Sequence, residues 1–244
     1  MKTVLITGCN RGLGKGLMER FASEGYNIVA LIRKENEEFN HLSIELSGKY
    51  GITIKTIYAE LDKAESLNSA INSIIAMEQP IDVLINNAAI NICKPAFYMD
   101  YADVEKSFRI NYFAPFLLCR EIGSLMMRQG SGCIINISSV AGLATEPGGA
   151  AYDASKAALN SFTKSFAQEV APLGVRVNAV ACSVVSTDMF NDMKPEVQKK
   201  ILKKVAMKRP SEIEEVANTI LFLTSDKASY ITGQIIRVDG GYAI

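Results

Sequence analysis

Short β-branched runs alternate with longer stretches in which apolar residues recur every three to four positions, along the whole 244-residue chain. A compact apolar run reads as a strand and a period near ~3.6 as a helix. The pattern predicts strands at Thr3–Thr7, Asn27–Ile32, Thr53–Tyr58, Val83–Asn86, Cys133–Ser138, Arg176–Ala181 and Gln234–Val238. Helices are predicted at Gly12–Ser23, Glu37–Lys49, Ala64–Met77, Ala102–Met127, Ala151–Ala171 and Ile213–Ser225. The runs VLIT, IVALI, VLIN and CIINI are apolar at nearly every position, as strands covered by helices on both faces of a parallel sheet are. Their alternation with helices predicts an α/β fold, a Rossmann-type doubly wound parallel sheet of about seven strands with helices on both faces. No linker or internal repeat breaks the pattern, so residues 1–244 are expected to form a single domain. Ligands of such sheets bind beyond the carboxyl ends of the strands, where the strand order switches. The ends of strands one, four, five and six are therefore where chemistry is expected.

Composition narrows the classes. Apolar residues make up 48% of the chain, and 26 basic residues balance 26 acidic ones. There is no basic excess of the kind nucleic-acid binders carry, and the chain is too hydrophobic and too neutral for disorder. A single histidine, His41, argues against a His-rich metal site or a His-based triad, and no metal is expected. The five cysteines, Cys9, Cys93, Cys119, Cys133 and Cys182, are scattered without a CxxC pair, which fits a reducing cytosol. The opening MKTVLITG has too short an apolar run for a secretory signal, and the uncharged stretch Gln129–Thr145 is full of Gly, Ser and Asn. A cytoplasmic protein with no nucleic-acid or membrane partner is expected.

Strand one runs into Thr7-Gly8-Cys9-Asn10-Arg11-Gly12-Leu13-Gly14, and a helix follows. Gly8 suits a tight turn, while Gly12 and Gly14 allow close approach of a ligand and of the sheet. The helix N-terminus then offers N–H groups to an anion such as a pyrophosphate. TGxxxGxG resembles the cofactor motif of the short-chain dehydrogenase/reductase family. That resemblance implies nicotinamide-dinucleotide contacts from Gly8, Asn10, Arg11, Gly12, Leu13 and Gly14. An NAD-preferring site ends strand two with an acid, but here that position is Ile32, followed by Arg33. Arg11 and Arg33 fit the 2′-phosphate of NADP(H) by charge-assisted contacts, so NADP(H) is expected over NAD(H). Asp62, after strand three, is placed either against the adenine or as the cap of the following helix.

Strand four ends in Asn86-Asn87-Ala88-Ala89, where the family reads NNAG; Asn87 and Ala88 fall at cofactor-contacting positions. Strand five ends in Ser138-Ser139, and Tyr152-Asp153-Ala154-Ser155-Lys156 opens the next helix. Tyrosine and lysine four apart share one helix face. Tyr152 follows Ser139 by 13 residues, the family's serine-to-tyrosine interval, which selects Ser139 over Ser138. The resemblance implies Tyr152 as general acid for ketone reduction and Ser139 as donor to the carbonyl oxygen. Lys156 is expected to lower the tyrosine pKa and hold the nicotinamide ribose. Asn111, inside the predicted helix Ala102–Met127, is the fourth catalytic position. Val185 and Thr187 match the carboxamide-contacting positions, but Cys182-Ser183 replaces the family's Pro-Gly. Residues 187–210 are expected to form a substrate lid.

The resemblance runs from TGCNRGLG to Val238-Asp239-Gly240-Gly241 and is nearest in pattern to 3-oxoacyl-acyl-carrier-protein reductases. It implies NADPH-dependent reduction of a ketone on an acyl thioester or other small molecule, with acyl carrier protein as a partner. Carrier proteins are acidic, and reductases that dock them place basic residues near the ends of the fourth and fifth large helices. Gly130 and Leu173 stand there, with Arg128 and Lys164 nearby. Relatives commonly form tetramers through the two long helices, so a homotetramer is expected. A sugar or polyol dehydrogenase, an enoyl reductase and a non-catalytic nucleotide-binding module are the alternatives. Enoyl reductases space the tyrosine and lysine more widely.

Overall fold

The computed structural model describes residues 1–243. Its strands are β1 (Thr3–Thr7), β2 (Asn27–Ile32), β3 (Ile54–Tyr58), β4 (Val83–Asn86), β5 (Gly132–Ser139), β6 (Val175–Cys182) and β7 (Ile235–Val238). All pair in parallel in one sheet of order β3-β2-β1-β4-β5-β6-β7. The order switches between β1 and β4, which opens the crevice at their carboxyl ends. The helices are α1 (Gly12–Ser23), α2 (Glu37–Tyr50), α3 (Ala64–Ile75), α4 (Tyr101–Phe108), α5 (Ala114–Gln129), α6 (Ala150–Val170), α7 (Asp188–Asn191), α8 (Pro195–Lys204) and α9 (Ile213–Thr224). Among the described residues, no helix is long and apolar enough to cross a membrane.

Alternate strand residues feed two separate cores. Val4 and Ile6 of β1 pack with Leu17 and Phe21 of α1 and Ile220 of α9. Leu5, between them, packs with Leu67 of α3, Leu118 of α5 and Phe166 of α6. Burial on both faces is why these strands carry no alternation of apolar and polar residues.

Two boundaries differ from the sequence reading in ways that matter for the site. Strands β5 and β6 pair from Gly132↔Val175 to Ser139↔Cys182, so both run past their predicted ends. The helix predicted as one piece at Ala102–Met127 is three: α4, a π-helical turn at Arg109–Phe113, and α5. Pro115 has no N–H to donate to the carbonyl of Asn111 four residues back. Within the turn the bonding shifts to five residues, and the Ala114 N–H reaches the Arg109 carbonyl. Such single π turns inside helices cluster at functional sites.

Candidate active site

The loop after β1 has the geometry its glycines suggested. Gly8 and Gly12 take φ of 74° and 54°, in the left-handed region that favours glycine. A Cβ on Gly14 would lie 2.0 Å from the Gly8 carbonyl oxygen, so α1 can start this close to the loop only without a side chain there. The N-cap of α1 is Arg11 in extended conformation, with no side-chain cap and no acid in the first turn. Its first amides are left for an anion. Asn10 and Arg11 are exposed, whereas Leu13 packs against the core beneath.

Neighbouring strand ends are bound to this loop. The Thr7 hydroxyl accepts from the N–H groups of Asn87 and Ala88, both at 2.9 Å. The Asn87 amide donates to the carbonyls of Thr7 at 2.9 Å and Gly8 at 3.3 Å. Thr7 is a clamp that the sequence reading passed over. From the far side, the Thr187 methyl would be 3.6 Å from a Cβ on Gly12. Val185 is held by a bridge to Ser211, and the Thr187 hydroxyl donates to the Val185 carbonyl at 3.3 Å. The loop after β6 therefore faces the glycine loop.

At the end of β2, Ile32 is buried and Arg33 is exposed. The register Thr7↔Leu31 puts Arg33 level with the start of the glycine loop. Neither Arg11 nor Arg33 forms an ion pair among the described residues. Asp62 is not a helix cap: the N-cap of α3 is Lys63, without a side-chain cap bond, and Asp62 accepts Arg109 Nη1 on its main-chain oxygen at 3.2 Å.

Beside this crevice the expected catalytic residues come together. Ser139, at the end of β5, lies beside Tyr152 in the first turn of α6, near enough for its hydroxyl to oppose the upward shift of the phenol, and its Oγ accepts the Ala141 N–H at 3.1 Å. One helical turn on, Lys156 Nζ lies 5.8 Å from the centre of the Tyr152 ring and donates to the Ile137 carbonyl at 2.7 Å. Burial pushes the Tyr152 phenol up to about 12 and Lys156 down to about 8. Lys156 was expected to lower the tyrosine pKa, but in the protein alone burial raises it, and the group that opposes the rise is Ser139, not Lys156. Asn111 is fully buried in the π turn. Its side chain accepts the Ile90 N–H and donates to the Ile90 carbonyl, both at 2.9 Å, and donates to Ser155 Oγ at 3.0 Å. Ser155, unremarked between the tyrosine and the lysine in sequence, thus links α6 to the π turn.

The two departures from the family pattern fit without strain. Among the described residues, the non-glycine positions with positive φ are Glu78 and Lys208. Ala89 and Ser183 therefore adopt ordinary conformations where relatives carry glycine. Cys182 completes β6, pairing with Ser139 on one side and Val238 on the other, and its buried thiol sits alongside Lys156. Burial raises that thiol to about 12, which leaves it an inert neutral group.

A cleft of about 690 Å³ opens next to the site, lined by Pro95 and Ala96, the loop from Ala141 to Gly148, and Asp153 and Ala154 of α6. Its rim is clasped by Lys204 of α8, which pairs with Glu146. The Tyr242 hydroxyl donates to the same carboxylate at 3.4 Å.

A glycine-rich βα turn at the switch point, with Ser, Tyr and Lys at the neighbouring strand end, defines a dinucleotide-binding oxidoreductase. Residues 8–243 match the profile of the family described as enoyl-(acyl carrier protein) reductase. The 3-oxoacyl-[acyl-carrier-protein] reductase FabG of Aquifex aeolicus is 38% identical over 240 residues, covering 98% of this chain and 96% of that protein. An uncharacterized oxidoreductase of Bacillus subtilis, YmfI, is 34% identical over 241 residues, covering 99% and 98%. Among solved structures, a putative NAD(P)-dependent gluconate 5-dehydrogenase from Beutenbergia cavernae with bound NADP superimposes with a TM-score of 0.92 at 30% identity, covering 98% of this chain and 96% of that one. The chain belongs to the short-chain dehydrogenase/reductase family of NAD(P)-dependent oxidoreductases.

Proposed function

We propose that the protein reduces a ketone to a secondary alcohol with NADPH, on a 3-oxoacyl thioester. The observation that carries the reading is the grouping of Ser139 beside Tyr152 with Lys156 one helical turn away, its Nζ 5.8 Å from the centre of the Tyr152 ring. NADPH, when bound, supplies the hydride. Gly8, Asn10, Gly12, Leu13 and Gly14 hold the pyrophosphate side through the uncapped start of α1. Arg11 and Arg33 meet the 2′-phosphate, and Asp62 lies against the adenine. Asn87, Ala88, Val185 and Thr187 face the nicotinamide end, and Lys156 binds its ribose.

Ser139 donates to the substrate carbonyl oxygen as negative charge develops there. Tyr152 then gives that oxygen its proton. A phenol held near about 12 is protonated throughout the neutral range, which suits the reductive direction. Asn111, fixed by Ile90 and Ser155, holds the π turn where water can link Lys156 to solvent. Residues 187–210 act as the lid, a role supported by the Lys204–Glu146 clasp.

The matching family profile carries the name of enoyl reduction. Ketone reduction is favoured because Tyr152 and Lys156, four apart, share one face of α6. A homotetramer through α5 and α6 is supported by Phe113, 49% exposed at the edge of a cluster with Tyr112, Phe116 and Phe162. A sugar or polyol dehydrogenase is the second reading, favoured by the 0.92 TM-score to the gluconate dehydrogenase.

The test is oxidation of NADPH, followed by absorbance, with acetoacetyl-CoA. Turnover that Tyr152→Phe abolishes while NADPH binding persists is the expected result. No turnover with the thioester, but NADPH-dependent reduction of a keto-sugar acid, transfers the assignment to the second reading.

A further inference from the structure

The charge of this chain is neutral in sum but not in distribution. Residues 194–204 hold five lysines (194, 199, 200, 203 and 204) against one acid, Glu196, while the chain as a whole has 26 basic and 26 acidic residues. The segment is thus net +4 and the remainder net −4. Helix α8 sorts these charges by face. Ile201 and Leu202 turn inward, half-buried, while Lys199, Lys200 and Lys203 line the exposed side at helical spacing. Lys199, Lys200 and Lys203 take no ion-pair partner among the described residues. Lys204, at the end of the stripe, is paired with Glu146 on the rim of the cleft, and Lys200 lies close enough to help lower the Glu146 pKa. Two apolar side chains flank the stripe, Val197 at 44% exposure and Met207 at 64%.

We propose that the outer face of α8 is a docking surface for an acidic carrier protein that delivers its bound substrate to the cleft under the lid. This rests on the thioester reading above and names the partner of that same site. Unpaired lysines of one sign attract an acidic surface and speed its approach. The exposed apolar pair offers the contact that a purely ionic encounter lacks. The stripe ends at the Glu146 rim, so a partner seated on it holds its cargo at the cleft mouth. The helix ends where relatives place docking charges are weaker candidates. Gly130 and Leu173 are uncharged, and Arg128 is turned back onto Ser124 Oγ at 2.8 Å.

The experiment compares acetoacetyl-acyl-carrier-protein with acetoacetyl-N-acetylcysteamine, which carries the same acyl group without a protein. Wild type is measured beside Lys199→Glu/Lys200→Glu/Lys203→Glu, and beside the matching triple Arg variant. Binding of acyl carrier protein is read separately by fluorescence anisotropy at low and at physiological salt. In the Glu variant the KM for the carrier substrate should rise about 10- to 30-fold more than the KM for the N-acetylcysteamine substrate, with the Arg variant near wild type on both. Carrier binding should weaken with salt and be lost in the Glu variant. An unchanged carrier KM overturns the proposal, as does an equal loss with both substrates. If wild type reduces neither thioester, the substrate reading fails, and the binding arm still decides the docking surface. Carrier binding indifferent to the Glu variant, or a stripe that binds anionic vesicles and not the carrier, overturns it.

Discussion

Lys156 Nζ donates to the main-chain oxygen of Ile137 at 2.7 Å, which fastens the lysine to β5 two residues before Ser139. The lysine is 2% exposed, and burial moves it down to about 8. An unfolded lysine titrates near ~10.4. Below about pH 8 the folded state must hold a buried ammonium. Each pH unit separating the folded from the unfolded titration is worth ~1.36 kcal/mol, so the cost is on the order of 3 kcal/mol. As pH rises from about 8 to about 10.5 the folded lysine is already neutral while the unfolded one is still charged, and the cost fades. Lys156→Met should therefore abolish turnover yet melt higher than wild type near pH ~7. The lost bond to Ile137 trims the net gain to about 1–2 kcal/mol, or a few degrees for a chain of this size. The gain should shrink near pH ~10. Melting curves at the two pH values decide it, and a difference that does not shrink refutes the buried-charge account.

Tyr152 works in the opposite sense. Its phenol is pushed up to about 12 by burial. Reduction needs the protonated form and oxidation needs the phenolate. The reductive rate should stay flat from about pH 6 to about pH 9, while alcohol oxidation rises roughly tenfold per pH unit over the same range. A plateau in oxidation below about pH 8 would show that bound cofactor overrides the desolvation seen in the protein alone.

The residues of the site were legible in sequence to different degrees, for physical reasons. The glycine loop was readable because positive φ and close approach at Gly8, Gly12 and Gly14 exclude other side chains locally. The fold was readable because β1, β2, β4 and β5 are buried on both faces and so lack alternation. The π turn was not, because it arises from one missing N–H at Pro115 and leaves the apolar spacing of the two flanking helices almost in phase. Thr7 and Ser155 were missed because each acts through a single hydroxyl toward a residue 80 or 44 positions away. The expected lowering of the Tyr152 pKa by Lys156 is not seen in the protein alone, where desolvation dominates, and a sequence does not reveal burial.

Asn111 joins three elements through one amide, so its removal should be felt in both stability and rate. Asn111→Ala leaves the Ile90 N–H and carbonyl without their partner and removes a donor to Ser155. Ile90 is half-buried, so its orphaned groups fall toward the low end of the about 1–3 kcal/mol that each buried one costs, and a loss of about 2 kcal/mol and a large fall in kcat are expected. Ser155→Ala keeps the Ile90 clamp and should cost about 1 kcal/mol, with a smaller fall in kcat. Thermal melts and steady-state rates on the two variants separate the roles. Equal effects from both would mean that Ser155, not the Ile90 clamp, sets the position of Asn111.

The cofactor preference rests on what stands at the end of β2. Ile32 is buried and carries no carboxylate to bind ribose hydroxyls, and Arg33 is exposed beside the glycine loop with no ion-pair partner among the described residues. A guanidinium–phosphate contact is worth about 1.5–3 kcal/mol, a factor of roughly 10 to 100 in affinity. Arg33→Ala should raise the KM for NADPH by that factor and leave the KM for NADH nearly unchanged, because NADH has no 2′-phosphate to lose. Arg11→Ala should act in the same direction. Steady-state kinetics with both cofactors measure the ratio directly. Equal weakening toward NADPH and NADH would place Arg33 on the pyrophosphate or in the fold, and would remove the basis for NADP(H) selectivity.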